Sequence, residues 1–98
     1  MSIDIAELSA ADFRPRVNEH FRIVTPDGSL ELKLIEVREL GVALRKGGAF
    51  ALTFLSSPGP FLPQVIYPLD HPALGTLDLF LVPLGRKDGG NSYEAVFT

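Results

Sequence analysis

Cysteine is absent from this chain, which excludes disulfides and thiolate metal sites at once. Small exported domains often depend on disulfides, so the absence leans toward a cytoplasmic protein. Basic residues are few: nine Lys and Arg stand against twelve Asp and Glu, for a formal charge of -3. Nucleic-acid affinity draws heavily on phosphate contacts, and no basic stripe is present to make them. No apolar run is long enough to cross a membrane as a helix. Asp4 and Glu7 stand near the start, where a signal peptide needs basic charge. A soluble protein that engages neither nucleic acid nor membrane is therefore expected. The Gly-x-Ser-x-Gly elbow of a hydrolase nucleophile is missing. Gly47-Gly48 and Gly89-Gly90 lack the Gly-Lys-Ser/Thr step of a phosphate loop and read as connections. No internal repeat or low-complexity tract stands out.

What remains is the composition of an ordinary folded chain. Ninety-eight residues suit a single domain over 1–98, and 46% hydrophobic content is enough to offset chain entropy. Near the start, Ser9 can cap a short helical turn over residues 9–13, with Asp12 placed to reach back as a capping-box acid. Pro15 disfavours helical geometry at Arg14, which predicts that the turn stops there. Leu8 and Phe13 are spaced to plug one end of a core.

The rest reads as strands. Phe21 and Ile23 share one face of residues 20–24, and Thr25-Pro26-Asp27-Gly28 suits a type I turn. Leu30, Leu32 and Leu34 alternate with Glu31 and Lys33; after Leu34 the phase slips, which predicts a long strand with a bulge there rather than a helix. Glu31, Lys33, Glu36, Arg38 and Glu39 then form a solvated mixed-charge face. Phe50, Leu52 and Phe54 point inward from another strand. Residues 64–67 resume as a strand, with Pro68 marking an edge or bend. Residues 70–75 read as a turn in which the Asp70 side chain bonds its own backbone two residues on. Residues 76–82 are the most apolar run and suit a strand buried on both faces. Residues 85–92 read as a flexible polar loop that could join the last two strands as a hairpin, the final strand having Tyr93, Ala95 and Phe97 on one face. About six strands, turn-rich connections and one helical turn predict an all-β fold, a small antiparallel barrel or sandwich.

Several of these residues form a pattern: Asp12-Phe13, Phe54, Gly59-Pro60, Leu62-Pro63-Gln64, Tyr67, Leu69, His71-Pro72, Leu74-Gly75, Leu79-Phe80-Leu81-Val82-Pro83, Gly85 and Tyr93-Glu94-Ala95-Val96-Phe97. In these the chain resembles a family of small bacterial proteins catalogued as a domain of unknown function. Members of that family lie beside genes for tail-collar-like and phage-tail-like proteins, so the resemblance implies an accessory or structural part of a tail-like particle. It carries no catalytic residues over.

Candidate chemistry is sparse. Asp70-His71 could orient an imidazole as a base, with Ser56 or Ser57 supplying a hydroxyl. Adjacent strand residues point to opposite faces, however, so a capped turn is the preferred reading. His20, Glu19 and His71 could ligate a divalent ion if the fold gathered them, but nothing in their spacing predicts it. Neither a metal nor another cofactor is expected, nor an enzyme. The expected function is a non-catalytic structural or protein-interaction module, with a protein partner or self-association. Its contact residues would be Phe61, Leu62, Gln64, Tyr67 and His71, with Phe61 and Leu62 as apolar anchors on the Pro/Gly loop over 58–64, or else an unpaired strand edge. The alternative is a small-ligand-binding barrel with its ligand at the mouth near Tyr67, His71 and Tyr93.

Overall fold

The structure is a computed structural model, which describes residues 8–25, 28–41, 48–57 and 62–97. A helical turn α1 (Ala10–Phe13) runs into a 3-10 turn (Arg14–Arg16) and is followed by seven strands. These are β1 (His20–Thr25), β2 (Gly28–Gly41), β3 (Ala49–Ser56), β4 (Ile66–His71), β5 (Gly75–Phe80), β6 (Val82–Lys87) and β7 (Gly90–Phe97). The strands form one antiparallel sheet in the order β5-β4-β1-β2-β3-β7-β6. The barrel half of the expectation thus holds, and the two-sheet sandwich does not.

The order has an unusual feature. β5 and β6 are the two edges of the sheet, yet only Leu81 separates them in the chain. A flat sheet cannot satisfy that link, so this one curls until its edges meet. In effect one bent strand pairs with β4 through its first half and with β7 through its second. Leu81 marks the bend: its side chain is buried, and its N–H donates to the Val65 carbonyl at 3.1 Å.

Alternation fills the interior. Phe21, Ile23, Leu32, Leu34, Phe50, Leu52, Phe54, Leu69, Leu77, Leu79 and Tyr93 are all fully buried. Each such side chain contributes roughly 1.5–3 kcal/mol by leaving water. The Leu34/Glu36 shift in the β2–β3 register is the bulge expected where the sequence phase slips. Glu31, Lys33, Glu36 and Arg38 lie on the outer side, where Arg38 reaches Glu94 at 3.4 Å. Glu39 does not join them, because past the bulge it stands opposite buried Phe50 on the inner face, where Arg14 reaches it at 2.6 Å.

One end of the barrel is closed by the N-terminal turn, as expected. The Ser9 N–H donates to Asp12 Oδ2 at 2.8 Å, and the Asp12 N–H to the Ser9 carbonyl at 3.0 Å. This capping aims Phe13 inward, where its ring lies 5.7 Å from both Phe50 and Phe97, themselves stacked at 4.3 Å. Pro15 does not stop the turn. Arg14 keeps helical angles (φ -55, ψ -43), and Pro15 enters the first turn of the 3-10 segment, where its missing N–H costs little.

Three other expectations are corrected. The last two strands do form a hairpin, but residues 85–92 are not a flexible loop: β6 runs to Lys87, which pairs with Gly90 across the two-residue turn Asp88-Gly89. Both turn residues have positive φ (51 and 80), the geometry that matches the twist of a hairpin. The run 76–82 is not one strand buried on both faces. Leu77, Leu79 and Leu81 point inward, while Phe80 points outward and is 47% exposed. Pro68 is at neither an edge nor a bend. It lies in β4, between β1 and β5, where the ladder to β1 has only the pair Arg22↔Asp70. The turn between Thr25 and Gly28 and the connection over 42–47 lie outside the described residues.

Candidate functional site

The five expected contact residues do not gather in one place. Phe61 lies outside the described residues. Leu62 is half-buried against the core rather than a free anchor, and its N–H donates to the Tyr93 hydroxyl at 2.9 Å. Gln64 is exposed. Tyr67 is half-buried and donates its hydroxyl to the Pro63 carbonyl at 2.7 Å. Desolvation, and secondarily the nearby Tyr93, raises the Tyr67 pKa above the ordinary phenol value. These contacts tie residues 62–67 down over the end of the barrel away from α1.

His71 is at the other end of β4, about 13 Å along the strand from Tyr67. It is buried, with its ring 4.7 Å from that of Phe21. Its Nδ1 accepts the N–H groups of Ala73 (3.1 Å) and Leu74 (3.3 Å), so Nδ1 carries no proton. The proton is on Nε2, which donates to Glu19 Oε1 at 2.7 Å. Thus the imidazole, not Asp70, closes the turn over 72–74. Asp70 points to the opposite face and accepts the Thr76 hydroxyl at 2.6 Å.

This arrangement is a latch. It ties the β4–β5 turn to the segment between the 3-10 turn and β1. Arg16 adds to it, with Nη1 3.7 Å from the same Glu19 oxygen, while its buried Nε has no hydrogen-bond partner among the described residues. Both imidazole nitrogens are engaged, which leaves neither free to take a proton from a hydroxyl. Ser56 lies at the other end of the barrel, where its hydroxyl contacts the carbonyls of Ser57 and Asn91. His20 is exposed on the outer face of β1, and no group of three or more His, Asp or Glu suited to a metal occurs among the described residues.

Replacing His71 with Ala is expected to cost about 1–3 kcal/mol, because two turn amides lose their acceptor and Glu19 loses its donor. Urea unfolding measures the loss, and nitrogen NMR of the wild-type ring is expected to place the proton on Nε2. Outside the latch, Arg22, Asp70, His71, Pro72, Gly75 and Thr76 line an open hollow of about 330 Å³.

The outer face of β4 and β5 carries a different feature. Ile66 and Phe80 are directly opposed across these strands, and Ile66 is 65% exposed. Val65 adjoins them, also exposed. The β1–β4 register places exposed Val24 beside Pro68 on the same face. The β6–β7 register, carried two residues past Val82, sets exposed Val96 across from Phe80. Cross-strand apolar pairs of this kind normally face a core or a partner. Counting in twos from Leu77 would have turned Phe80 outward. No sequence signal joins Glu19 to His71, since their meeting depends on the β1–β4 pairing.

Fold and site together define a small, curled, barrel-like antiparallel β domain, plugged at one end by a helical turn. The family model described as Domain of unknown function (DUF6916) matches residues 8–97, and the chain belongs to that family. No curated protein and no solved structure matches it. Among the described residues, no helix is long and apolar enough to cross a membrane.

Proposed function

We propose that this chain is a non-catalytic structural or protein-interaction module that associates through the outer face of β4 and β5. The observation that carries this is the exposed Ile66–Phe80 pair with Val65 beside it. An exposed apolar pair on a sheet is an aggregation hazard unless something covers it. Association through a few apolar side chains also needs no cofactor. The site moves from the loop over 58–64 to the adjoining strand face, because Leu62 is occupied by the core. The finer form of the proposal, which the family resemblance alone implies, is an accessory of a tail-like particle working in a bacterial cytoplasm. A small-ligand barrel is less well supported: Tyr67 and His71 belong to opposite ends of β4, and aromatic and aliphatic side chains fill the interior.

The double substitution Ile66→Glu with Phe80→Glu tests the proposal. Light scattering and recovery of a tail protein in a pull-down report association, and a thermal melt reports folding. Association is expected to fall at least about tenfold, with stability within about 0.5 kcal/mol per site, as for surface positions. Unchanged association would refute the assignment.

A further inference from the structure

Asp78 and Phe80 are exposed on the outer face of β5, about 7 Å apart along the strand, with Leu79 between them turned into the core. Their partners across the ladder on β4 are Pro68 and Ile66. Asp78 is thus a carboxylate set among apolar side chains, one row from the Ile66–Phe80 pair. It makes no ion pair among the described residues. The neighbouring charges are engaged or distant. Asp70 accepts the Thr76 hydroxyl, and Glu94 holds Arg38. Arg22 is exposed and also makes no ion pair among the described residues, but it stands across from Asp70 on β1, two strands from β5.

A contact that covers Ile66 and Phe80 covers Asp78 with them, because a stable interface spans roughly 800 Å² on each partner. Burying a lone carboxylate is costly unless a cation arrives to pair with it. We propose that the partner is a protein surface carrying an arginine set among aliphatic side chains, an inference that rests on the interaction reading above. The guanidinium bonds the Asp78 carboxylate and lies against the Phe80 ring, while an aliphatic neighbour covers Ile66. Arginine suits this corner better than lysine. Its planar group is weakly hydrated, stacks on aromatic rings and offers paired donors to a carboxylate. A second copy of this chain is a poorer occupant. A symmetric contact centred on Ile66 and Phe80 would bring two Asp78 carboxylates into one interface, and each chain carries -3.

Three capped peptides of the form Ser-Leu-X-Leu-Ser serve as probes, with X as arginine, citrulline or glutamate. Citrulline keeps the planar shape and loses the charge. Binding to the full chain is followed by NMR at the Ile66 methyls, the Phe80 ring and the Asp78 carboxyl carbon. The arginine peptide is expected to bind at least about fivefold more tightly than the citrulline peptide, with the glutamate peptide weakest. Asp78→Asn is expected to remove the arginine advantage without moving the thermal melt, and Asp78→Lys to reverse the order of the arginine and glutamate peptides. Equal shifts at Ile66 and Phe80 with all three peptides would overturn the choice of arginine while leaving this face as an interface. No response at any of the three residues with any peptide at millimolar concentration would also overturn it; the interaction reading would still stand or fall on the association of the Ile66→Glu, Phe80→Glu chain. Shifts that grow with protein concentration alone would overturn the choice of occupant in favour of a second copy.

Discussion

Gly90→Ala is expected to destabilise the fold by about 3 kcal/mol or more, and in a small domain that threatens folding outright. Gly90 is the first residue of β7 and is buried. A methyl group there would fall inside the van der Waals radius of the Ser56 carbonyl oxygen, and 3.1 Å from its carbon. Both are backbone atoms of β3 and cannot rotate aside. Relief requires β3 and β7 to separate where Ser56 pairs with Asn91, next to the Lys87–Gly90 closure of the last hairpin. Gly89→Ala is the informative contrast. Gly89 has φ 80, which costs an L-residue about 1 kcal/mol, but the space around it is open. Urea midpoints should order the chains wild type, Gly89→Ala, Gly90→Ala, with the larger gap at the second step. Equal losses would show that spacing between β3 and β7 does not govern this corner.

Phe13→Ala should be comparably severe, at about 3–5 kcal/mol. The ring fills the end of the barrel against Phe50 and Phe97, and the short α1 offers no other large side chain to collapse into the gap. In calorimetry the loss corresponds to a fall in melting temperature on the order of 15 °C or more for a domain of this size. Phe13→Leu keeps most of the volume and should lose less than half as much. A melt of the Ala variant within a few degrees of wild type would mean that α1 is an appendage rather than a plug.

The elements legible in the sequence were those with strict local periodicity. Leu30, Leu32 and Leu34, followed by the slip at Ile35, specified both β2 and its bulge, because a phase change on a half-buried strand has few other solutions. Ser9, Asp12 and Phe13 specified the plug for the same reason. Legibility failed where an outcome depended on distant pairing. Nothing local shows that the run over 76–82 changes neighbours at Leu81, and its unbroken apolarity masked the period of two that turns Phe80 outward. Asp70 looked like the residue that closes the turn, because the contacts that give His71 that place, with Glu19 behind it, form only in the fold. The hairpin of the last two strands was legible, but not how tight its turn is: an Asp-Gly pair signals a two-residue connection, and the surrounding Gly and charge obscured it.

The position of β7 has a consequence for how the protein is made. It follows every other described strand along the chain, yet it lies between β3 and β6. A nascent chain that has reached Lys87 can align β5-β4-β1-β2-β3 but holds β6 with nothing beside it, and the β3 edge, with Phe50 and Phe54, lies bare. Synthesis adds about 5–20 residues per second. That edge therefore stays bare for on the order of a second, until Tyr93, Ala95 and Phe97 have been added.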